Sequence, residues 1–264
     1  MFYISGLPRS GSTLLCNILN QNSNCFASAT SGLPNIVLPV KNGWDRVDAH
    51  QAMQSELSLV KKVDTLTAIH QGYYKHVEED YIFDKSRLWL SNVEYLNLIE
   101  GGKLKIVATV RDVVDILASL EIKFRETSSV GMITQAATHP QHFTSLEKRC
   151  AFWMDQTQLL GHSLFALQDS IRRGYQPFIH IVEYDELTTN PKETMQKLYD
   201  FLEISPHDHD FENVEQTTYE DDRVHGILGL HTIRPTVRPN TRKWEAILGT
   251  AGKQYLNQEF WRLT

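Results

Sequence analysis

The first residues of the chain combine two glycines with a basic side chain and several hydroxyls. The run GLPRSGST at residues 6–13 has the G-x-x-x-x-G spacing of loops that hold phosphate with their backbone N–H groups. Such a loop, backed by the positive end of a following helix, binds an anion without side-chain charge. ATP-binding loops of this type carry lysine directly after the second glycine, where this chain has Ser12. The basic group is instead Arg9, whose planar guanidinium can bridge a phosphate and a group in transfer.

A second group of polar residues follows the mid-chain run LKIVATV, which is rich in β-branched residues. Arg111 stands at the end of this predicted strand, where open parallel sheets collect ligands. On a helix that starts near Asp112, Ser119 and Lys123 lie at i and i+4 on one face, so that they could share one phosphate. The alternative is that Arg111 pairs with Asp112 or Asp115 and that Ser119 only packs.

These two groups require strands that end at them and helices that begin behind them. Apolar and β-branched runs predict strands at residues 2–5, 81–84, 104–110 and 178–182. Apolar residues at helical spacing predict helices at residues 14–20, 48–75, 88–100, 112–124, 146–173 and 191–202. We expect a loop at residues 21–43 with at most a short helix around 33–40, and a mobile loop at residues 127–144. The alternation predicts an α/β fold with a central, mostly parallel sheet flanked by helices.

The composition is that of an ordinary globular chain. Of 264 residues, 41% are hydrophobic and 22% charged, and 26 basic against 32 acidic residues give a formal charge of −6. This balance argues against nucleic acid or an anionic membrane as a partner, so any anion site must be local. Three cysteines without metal-ligand spacing favour buried thiols in a reducing compartment. Since no long apolar span or secretory leader is apparent, we expect a cytoplasmic protein.

Several segments together resemble the sulfotransferases that use 3′-phosphoadenosine 5′-phosphosulfate (PAPS). They are the GLPRSGST loop, VRDVVDILAS after the mid-chain strand, and a late segment of arginines and prolines. The protein-tyrosine sulfotransferase-like branch is nearest, through PRSGSTLL, IFDKS, VEYDELTTNP and IRPTV with a downstream Lys-Trp. The resemblance implies a PAPS-dependent transferase with a three-layer, P-loop-like α/β fold, in which residues 1–264 form a single domain.

The resemblance also implies roles for individual residues. Arg9 and Lys85 would act in catalysis beside the transferring sulfuryl group. The loop that contains Arg234 would fold over the nucleotide. The residues implied to bind the cofactor are Arg9, Ser10, Gly11, Ser12 and Thr13 at the 5′-phosphosulfate, Arg111, Ser119 and Lys123 at the 3′-phosphate, and Tyr184 and Arg234 elsewhere on the nucleotide.

The chemistry of sulfuryl transfer agrees with these residue types. Charge develops on the leaving phosphate oxygen and on the equatorial oxygens, where positioned cations and N–H donors supply most of the catalysis. A sulfuryl group carries less charge than a phosphoryl group, so we expect Arg9 and Lys85 to suffice without a metal ion. A hydroxyl or amine of a small molecule, glycan or peptide would attack sulfur in line, helped by a general base.

The sequence departs from the family at that base. The tyrosine-sulfating branch has a glutamate about twenty residues after the glycine loop, but residues 25–34 contain no acid. The cytosolic small-molecule branch has a histidine two residues after the strand-end lysine, where this chain has Arg87. Substitutes from the sequence are Asp45, Asp48, His50, Glu56 and His70.

Two other functions are compatible with the glycine loop. The first is a nucleoside or small-molecule kinase with a degenerate phosphate loop, in which Asp84, at the end of an apolar strand, organises Mg²⁺. The serine at position 12 argues against it. The second is a catalytically inactive nucleotide-binding protein, which the missing base leaves open.

Two polar runs outside these motifs are expected to be structural. Residues 220–222, Glu-Asp-Asp, are typical of a solvated loop, with a lid or an acceptor contact as the second interpretation. Residues 207–210 alternate histidine and aspartate, but neighbours in an extended segment point apart. We therefore predict no metal site.

Overall fold

The computed structural model describes residues 1–128 and 134–262, and in this part of the chain the sheet has five strands in the order β2-β3-β1-β4-β5. All neighbouring strands are parallel. The strands are β1 (Phe2–Gly6), β2 (Cys25–Thr30), β3 (Tyr81–Lys85), β4 (Ile106–Val110) and β5 (Ile179–Glu183). The predicted α/β architecture with a parallel sheet is confirmed.

The two faces of the sheet bury separate sets of side chains, as the period of two along a strand requires. In β1, Tyr3 packs in one hydrophobic cluster and Ile4 in the other. In β4, Ala108 and Val107 are divided in the same way, and both are completely buried. The sheet is therefore covered on both faces, and the central strands read as near-continuous apolar runs because neither face meets water.

Helices cover these faces and connect the strands. They are α1 (Ser12–Leu19), α2 (Leu33–Gly43), α3 (Asp48–Gln51), α4 (Ser55–Tyr73), α5 (Val93–Ile99), α6 (Val113–Ser128), α7 (Thr134–Thr138), α8 (Leu146–Met154), α9 (Leu159–Arg172), α10 (Tyr184–Thr189), α11 (Pro191–Leu202) and α12 (Glu245–Leu248).

The strand order places β1 between β3 and β4, so that the chain leaves β1 toward one side of the sheet and later continues on the other. Open α/β sheets bind ligands at such a switch point, outside the carboxyl ends of the strands. Lys85 ends β3, Arg111 follows β4, and Tyr184 follows β5. The fold thus gathers the predicted site residues along one edge of the sheet, around the glycine loop after β1.

The prediction of a loop at residues 21–43 is wrong for the strand within it, whereas the short helix allowed around residues 33–40 is present and longer. This segment contains β2 and the whole of α2. The sequence CFASAT in β2 lacks β-branched residues until its end. Its outer edge is closed by Asn20, whose side-chain oxygen accepts from the Ala27 N–H at 2.6 Å and whose amide lies 3.1 Å from the Ala27 carbonyl oxygen. A side chain outside the strand thus completes the hydrogen bonding of its backbone, although the residue types of the strand do not predict one.

Two long predicted helices are each divided in the structure. The helix expected at residues 48–75 is α3 followed by α4. The helix expected at residues 146–173 ends at Met154, and Asp155 then accepts hydrogen bonds from the Thr157 N–H at 2.8 Å and hydroxyl at 2.6 Å. Such an Asp turn competes with continuation of a helix and lets a new one start in another direction.

The mobile loop predicted at residues 127–144 is wrong where the structure describes it. Its first two residues belong to α6, and α7 lies inside it. Residues 140–142 form a short 3-10 helix, and residues 129–133 of that prediction lie outside the described residues. All three cysteines are free and buried, as predicted, and burial raises the pKa of Cys16 and of Cys150 to about 11.

Candidate active site

The glycine loop joins β1 to α1 in a conformation that its residue types allow. Gly6 and Gly11 have φ angles of +116° and +88°, and Arg9 also has a positive φ, of +58°. A Cβ on Gly6 would overlap the backbone of Thr109, and a Cβ on Gly11 would lie 2.7 Å from the Tyr184 ring. Both glycines are therefore required, because any side chain meets strain and a close neighbour.

Ser10 stabilises the loop through hydrogen bonds of its side chain. Its hydroxyl lies 2.6 Å from the Leu7 carbonyl oxygen and 2.7 Å from the Thr109 hydroxyl, and the residue is 1% exposed. Any contribution of Ser10 to a ligand thus comes from its backbone N–H. Helix α1 begins directly after Gly11, so Ser12 and Thr13 present their N–H groups at its positive end.

Arg9 connects the loop to two distant parts of the chain. Its Nε donates to the Ser119 hydroxyl in α6 at 3.1 Å, and its Nη1 donates to the Leu230 carbonyl oxygen. Burial lowers the pKa of Arg9, and the neighbouring charge of Arg111 lowers it further. The loop is therefore a place where two cations approach each other in a poorly solvated environment, which favours a bound anion.

Arg111 lies beside the loop in a stacked arrangement. Its guanidinium carbon is 4.4 Å from the centre of the Tyr184 ring, the same ring that covers Gly11. The Arg234 guanidinium lies 3.4 Å from the Tyr184 hydroxyl. Arg111 is 6% exposed, and among the described residues nothing accepts a hydrogen bond from its Nε. Asp112, which the sequence offered as its partner, pairs with Arg262 at 2.7 Å.

Lys85 lies on the other side of the loop, at the end of β3. Its Nζ is 3.4 Å from the Thr13 hydroxyl and 3.0 Å from Oε1 of Glu220, and both charged side chains are at most 8% exposed. The same carboxylate oxygen accepts from the Thr30 N–H at 2.7 Å and from the Thr30 hydroxyl at 2.9 Å. Burial alone would raise the pKa of Glu220, but Lys85 and the Thr30 hydrogen bonds outweigh it and lower that pKa.

Glu220 also leads to a histidine that the sequence reasoning missed. Nδ1 of His231 is 2.6 Å from Oδ1 of Asp222 and 3.3 Å from Oε2 of Glu220. The other oxygen of Asp222 accepts from the His231 backbone N–H at 3.2 Å. Burial and the charge of Lys85 lower the pKa of His231, while the hydrogen bond to Asp222 and the charges of the two carboxylates oppose that shift.

The interpretation of residues 220–222 as a solvated loop is therefore wrong for two of them. The side chains of Glu220 and Asp222 are 8% and 10% exposed. Only Asp221 faces solvent, where it pairs with Arg223 at 2.7 Å. Alternation along an extended segment separates Asp221 from its neighbours, which a composition-based interpretation of three acids cannot show.

Lys123 is less closely joined to the other predicted residues. Its Nζ pairs with Glu126 at 2.8 Å, while the Ser119 hydroxyl accepts from Arg9. A Cβ on Gly229 would lie 3.0 Å from Nζ of Lys123, so Lys123 lies against the segment that also contains Leu230. That Ser119 and Lys123 share a phosphate stays a prediction.

The base candidates offered by the sequence have other partners. Asp45 pairs with Lys62 at 2.7 Å, and the His50 ring stacks on Trp44 at 3.9 Å. His70 is buried and lies 2.7 Å from the Tyr95 hydroxyl. Asp48 and Glu56 are exposed in the first turns of α3 and α4. In the part of the chain that the structure describes, no recorded contact brings these five residues to Arg9 or Lys85.

The residue that would make the protein a kinase is not placed for that role. Asp84 is 0% exposed. Its Oδ2 accepts from the Ser31 and Tyr74 hydroxyls at 2.6 Å each, and its Oδ1 accepts from the Trp89 indole N–H at 2.6 Å. Burial raises the pKa of Asp84 in this setting. Asp84 thus anchors the core beside β3, and the kinase interpretation loses its candidate magnesium ligand.

The described helices and one group of acidic side chains bear on membranes and metals. Every helix in residues 1–128 and 134–262 is too short or too polar to cross a membrane. In the same residues, Asp112, Asp115 and Asp185 bring one carboxylate oxygen each within 4.8 Å of the others. Because acidic groups often gather without an ion, and Arg262 neutralises Asp112, we assign no function to this group.

A five-stranded parallel sheet with a glycine loop at its switch point defines an α/β protein of the P-loop-like fold. A sequence model of the sulfotransferase family matches residues 2–208. The chain therefore belongs to the sulfotransferase family. Membership supports a transferase activity of that general kind, and the predicted relationship to sulfotransferases is confirmed.

One solved structure supports the fold, and two others are similar to a smaller degree. The sulfotransferase domain of the curacin biosynthetic pathway is similar with a TM-score of 0.53 at 16% identity, covering 91% of this chain and 84% of that chain. The sulfotransferase domain of the Synechococcus PCC 7002 olefin synthase has a TM-score of 0.47 at 17% identity, covering 78% and 74%. A sulfotransferase from Alicyclobacillus acidocaldarius has a TM-score of 0.45 at 14% identity, covering 83% and 85%. Among curated protein sequences no significant match is found.

Proposed function

We propose that this protein transfers a sulfuryl group from PAPS to a hydroxyl or amine. The proposal rests on the surroundings of Arg111. Its side chain is buried and stacked on Tyr184, and its Nε donates no hydrogen bond to any of the described residues. A buried cation with an unused donor is costly unless an anion completes it. The 3′-phosphate of PAPS, which ATP lacks, is the group that Arg111 fits.

The donor set on the other side of the loop suits the 5′ end of the same molecule. The N–H groups at the start of α1 and the guanidinium of Arg9 would hold the 5′-phosphosulfate. PAPS supplies the sulfuryl group and a phosphate leaving group. Lys85, beside Thr13, would stabilise the charge that develops there, and these two cations make a metal ion unnecessary.

The remaining predicted contacts belong to the same proposal. Tyr184 and Arg234 would cover the nucleotide, and Ser119 with Lys123 would assist Arg111. Because these residues come from nearly the whole length of the chain, we propose one domain. The reduced thiols are consistent with a cytoplasmic location. We propose a small molecule, glycan or peptide as the acceptor. A strongly acidic acceptor is disfavoured, because the surroundings of Lys85 include two carboxylates, Glu220 and Asp222, that would repel it.

Binding of the product nucleotide tests the proposal. In a thermal-shift experiment, 3′-phosphoadenosine 5′-phosphate (PAP) should stabilise the protein, by about 2.7 kcal/mol at 100 times its Kd, while ATP with Mg²⁺ should not. Transfer of labelled sulfate from PAPS is then measured across phenols, alcohols, sugars, amines and peptides. Stabilisation by ATP with Mg²⁺ alone would overturn the proposal, and PAP binding without any transfer would favour an inactive nucleotide-binding protein.

A further inference from the structure

We propose that His231, oriented by Asp222, is the general base that removes the proton of the attacking acceptor. The inference rests on the proposed sulfuryl transfer. It assigns the base to a segment that is distant in sequence from both positions that the family resemblance suggests, residues 25–34 and Arg87.

The position of His231 links it to both cations proposed to lie at the sulfuryl group. The preceding residue, Leu230, accepts a hydrogen bond from Arg9 through its carbonyl oxygen. The His231 ring contacts Glu220, which in turn holds Lys85. His231 is thus separated from Arg9 by one peptide unit and from Lys85 by one carboxylate.

The contacts of the ring fix its protonation. A carboxylate offers acceptors only, so the Nδ1 atom that faces Asp222 at 2.6 Å carries the proton. In the neutral ring the lone pair is then on Nε2, which is the tautomer a general base needs. Asp222 binds both this ring and the His231 backbone N–H, so it fixes the orientation of the imidazole and stabilises the imidazolium formed on reaction.

Glu220 is the competing candidate, and its contacts assign it another role. Its Oε1 accepts from the N–H and hydroxyl of Thr30 and from Lys85, which together lower its pKa. A carboxylate stabilised in this way is a weak base. Thr30 lies in the segment where the tyrosine-sulfating branch has its glutamate, so a carboxylate reaches that place from residue 220. We assign Glu220 as a positioning residue that holds Lys85 and the histidine.

The proposed step forms one bond to sulfur and breaks another. An acceptor oxygen or nitrogen forms a bond to sulfur while the bond from sulfur to the bridging phosphate oxygen breaks. The acceptor proton moves to Nε2 of His231, the electron pair of the broken bond stays on PAP, and the proton is later released to water. No oxidant, reductant or metal takes part.

The test compares His231→Gln and His231→Ala with His162→Gln, a control in α9 whose ring lies 2.9 Å from the Ser91 hydroxyl. PAP thermal shifts establish that each variant folds and binds nucleotide. Single-turnover release of PAP from PAPS is measured with the best acceptor of the panel, and with water as acceptor. We expect both His231 variants to lose about 10²- to 10⁴-fold in rate, the control to lose nothing, and imidazole to restore part of the rate of His231→Ala.

The pH profile separates a base from a structural residue. The charged groups near His231 include Asp222, Glu220 and Lys85, with Arg9 held by the neighbouring carbonyl. The wild-type rate should fall as pH drops through a pKa below 6.5, because protonation removes the base, and His231→Gln should lose this dependence. Asp222→Asn should reduce the rate less and shift the profile.

Each failure has a distinct meaning. If the wild type binds PAP and transfers sulfate, but His231→Gln keeps the rate and the acidic limb, the assignment of the base is overturned. The same holds if Glu220→Gln, and not His231→Gln, removes that limb. If the wild type neither binds PAP nor releases it from PAPS, the proposed function itself fails, and the base assignment with it.

Discussion

The three buried cations around the glycine loop differ in how they are compensated. Arg9 donates to Ser119 and Leu230, and Lys85 is paired with Glu220, whereas Nε of Arg111 has no acceptor among the described residues. A cation that already has partners exchanges them when a ligand binds, while one with an unused donor gains an interaction outright. Arg111 should therefore matter most for affinity, and Lys85 for rate.

Substitution of Arg111 tests the first half of this distinction. Arg111→Ala should weaken PAP binding by about 10- to 100-fold, because a hydrogen bond to a charged group contributes about 1.5 to 3 kcal/mol. Binding of AMP, which lacks the 3′-phosphate, should change little. Isothermal titration with both nucleotides measures this, with exposed Arg172→Ala as the control. Equal losses for PAP and AMP would contradict the assigned 3′-phosphate site.

Substitution of Lys85 tests the second half. Lys85→Met should lower the transfer rate by about 10²- to 10³-fold with PAP affinity largely kept. It should also cost about 3 to 5 kcal/mol of unfolding free energy, because Glu220 stays buried without its cation. The double variant Lys85→Met with Glu220→Gln should recover much of the stability and none of the rate. Recovery of both, seen by urea unfolding and single-turnover kinetics, would show that Lys85 is structural.

Only some of these residues could be predicted from the sequence. Arg9 and Arg111 have local signals, since one lies between spaced glycines and the other ends a β-branched run. Glu220 and His231 have none. The ion pair of Glu220 with Lys85 spans 135 residues, and Glu220 and His231 lie in segments whose pattern indicates only a loop. Contacts of this kind depend on strand order, which periodicity does not determine.

Among the strands and helices, whether an element could be predicted from the sequence depends on which interactions stabilise it. Strands β1, β3, β4 and β5 were predictable because their apolar or β-branched runs report burial on both faces. Strand β2 was not, since its small residues are stabilised by pairing with β3 and by Asn20. The division between α8 and α9 depends on one Asp turn and is likewise invisible to an apolar repeat.

Substitution of Gly11 tests the conformation of the connection from β1 to α1. Gly11→Ala should destabilise the protein by about 1 to 2 kcal/mol, because φ there is +88°, and should displace Tyr184 from the loop. PAP binding should weaken with it. The matched control is Gly43→Ala, at the end of α2, where φ is ordinary and a Cβ meets nothing within 4 Å. Urea unfolding and PAP titration compare the two, and equal behaviour would contradict the proposed packing of Tyr184 on the loop.

For the whole molecule, the formal charge of −6 gives a poor picture of the site. The sequence predicts a concentrated cationic pocket within an acidic chain. The structure instead places carboxylates beside its cations: Glu220 pairs with Lys85, and Asp115 and Asp185 lie close enough to Arg111 that its charge opposes the rise in their pKa that burial causes. The total charge therefore does not describe the local balance around the loop.

Two buried histidines make the stability of the whole fold sensitive to acid. Burial lowers the pKa of His70 and of His209 to about 4, whereas the unfolded chain binds these protons near pH 6.5. Below pH 6.5 the unfolded state takes up more protons, so stability falls until the folded pKa is passed. We expect a loss of about 2 to 3 kcal/mol for each histidine by pH 4.5.

Urea unfolding at pH 7, 5.5 and 4.5 measures this dependence. His70→Gln and His209→Gln should each flatten it, whatever they do to the stability at pH 7, while His162→Gln should leave it unchanged. A wild-type protein and His70→Gln and His209→Gln variants with the same pH dependence would contradict this prediction.

The match to the family model ends at residue 208, and Glu220, Asp222 and His231 all lie beyond it. On the roles proposed above, the segment after residue 208 carries both the base that activates the acceptor and Arg234, which covers the nucleotide. It is joined to the earlier segment at several places besides Lys85, since Asn17 accepts from the Thr217 and Thr218 N–H groups and Thr127 accepts from the Leu228 N–H. Exchange of this tail between related chains could therefore redirect the acceptor only if these contacts and Arg234 were kept.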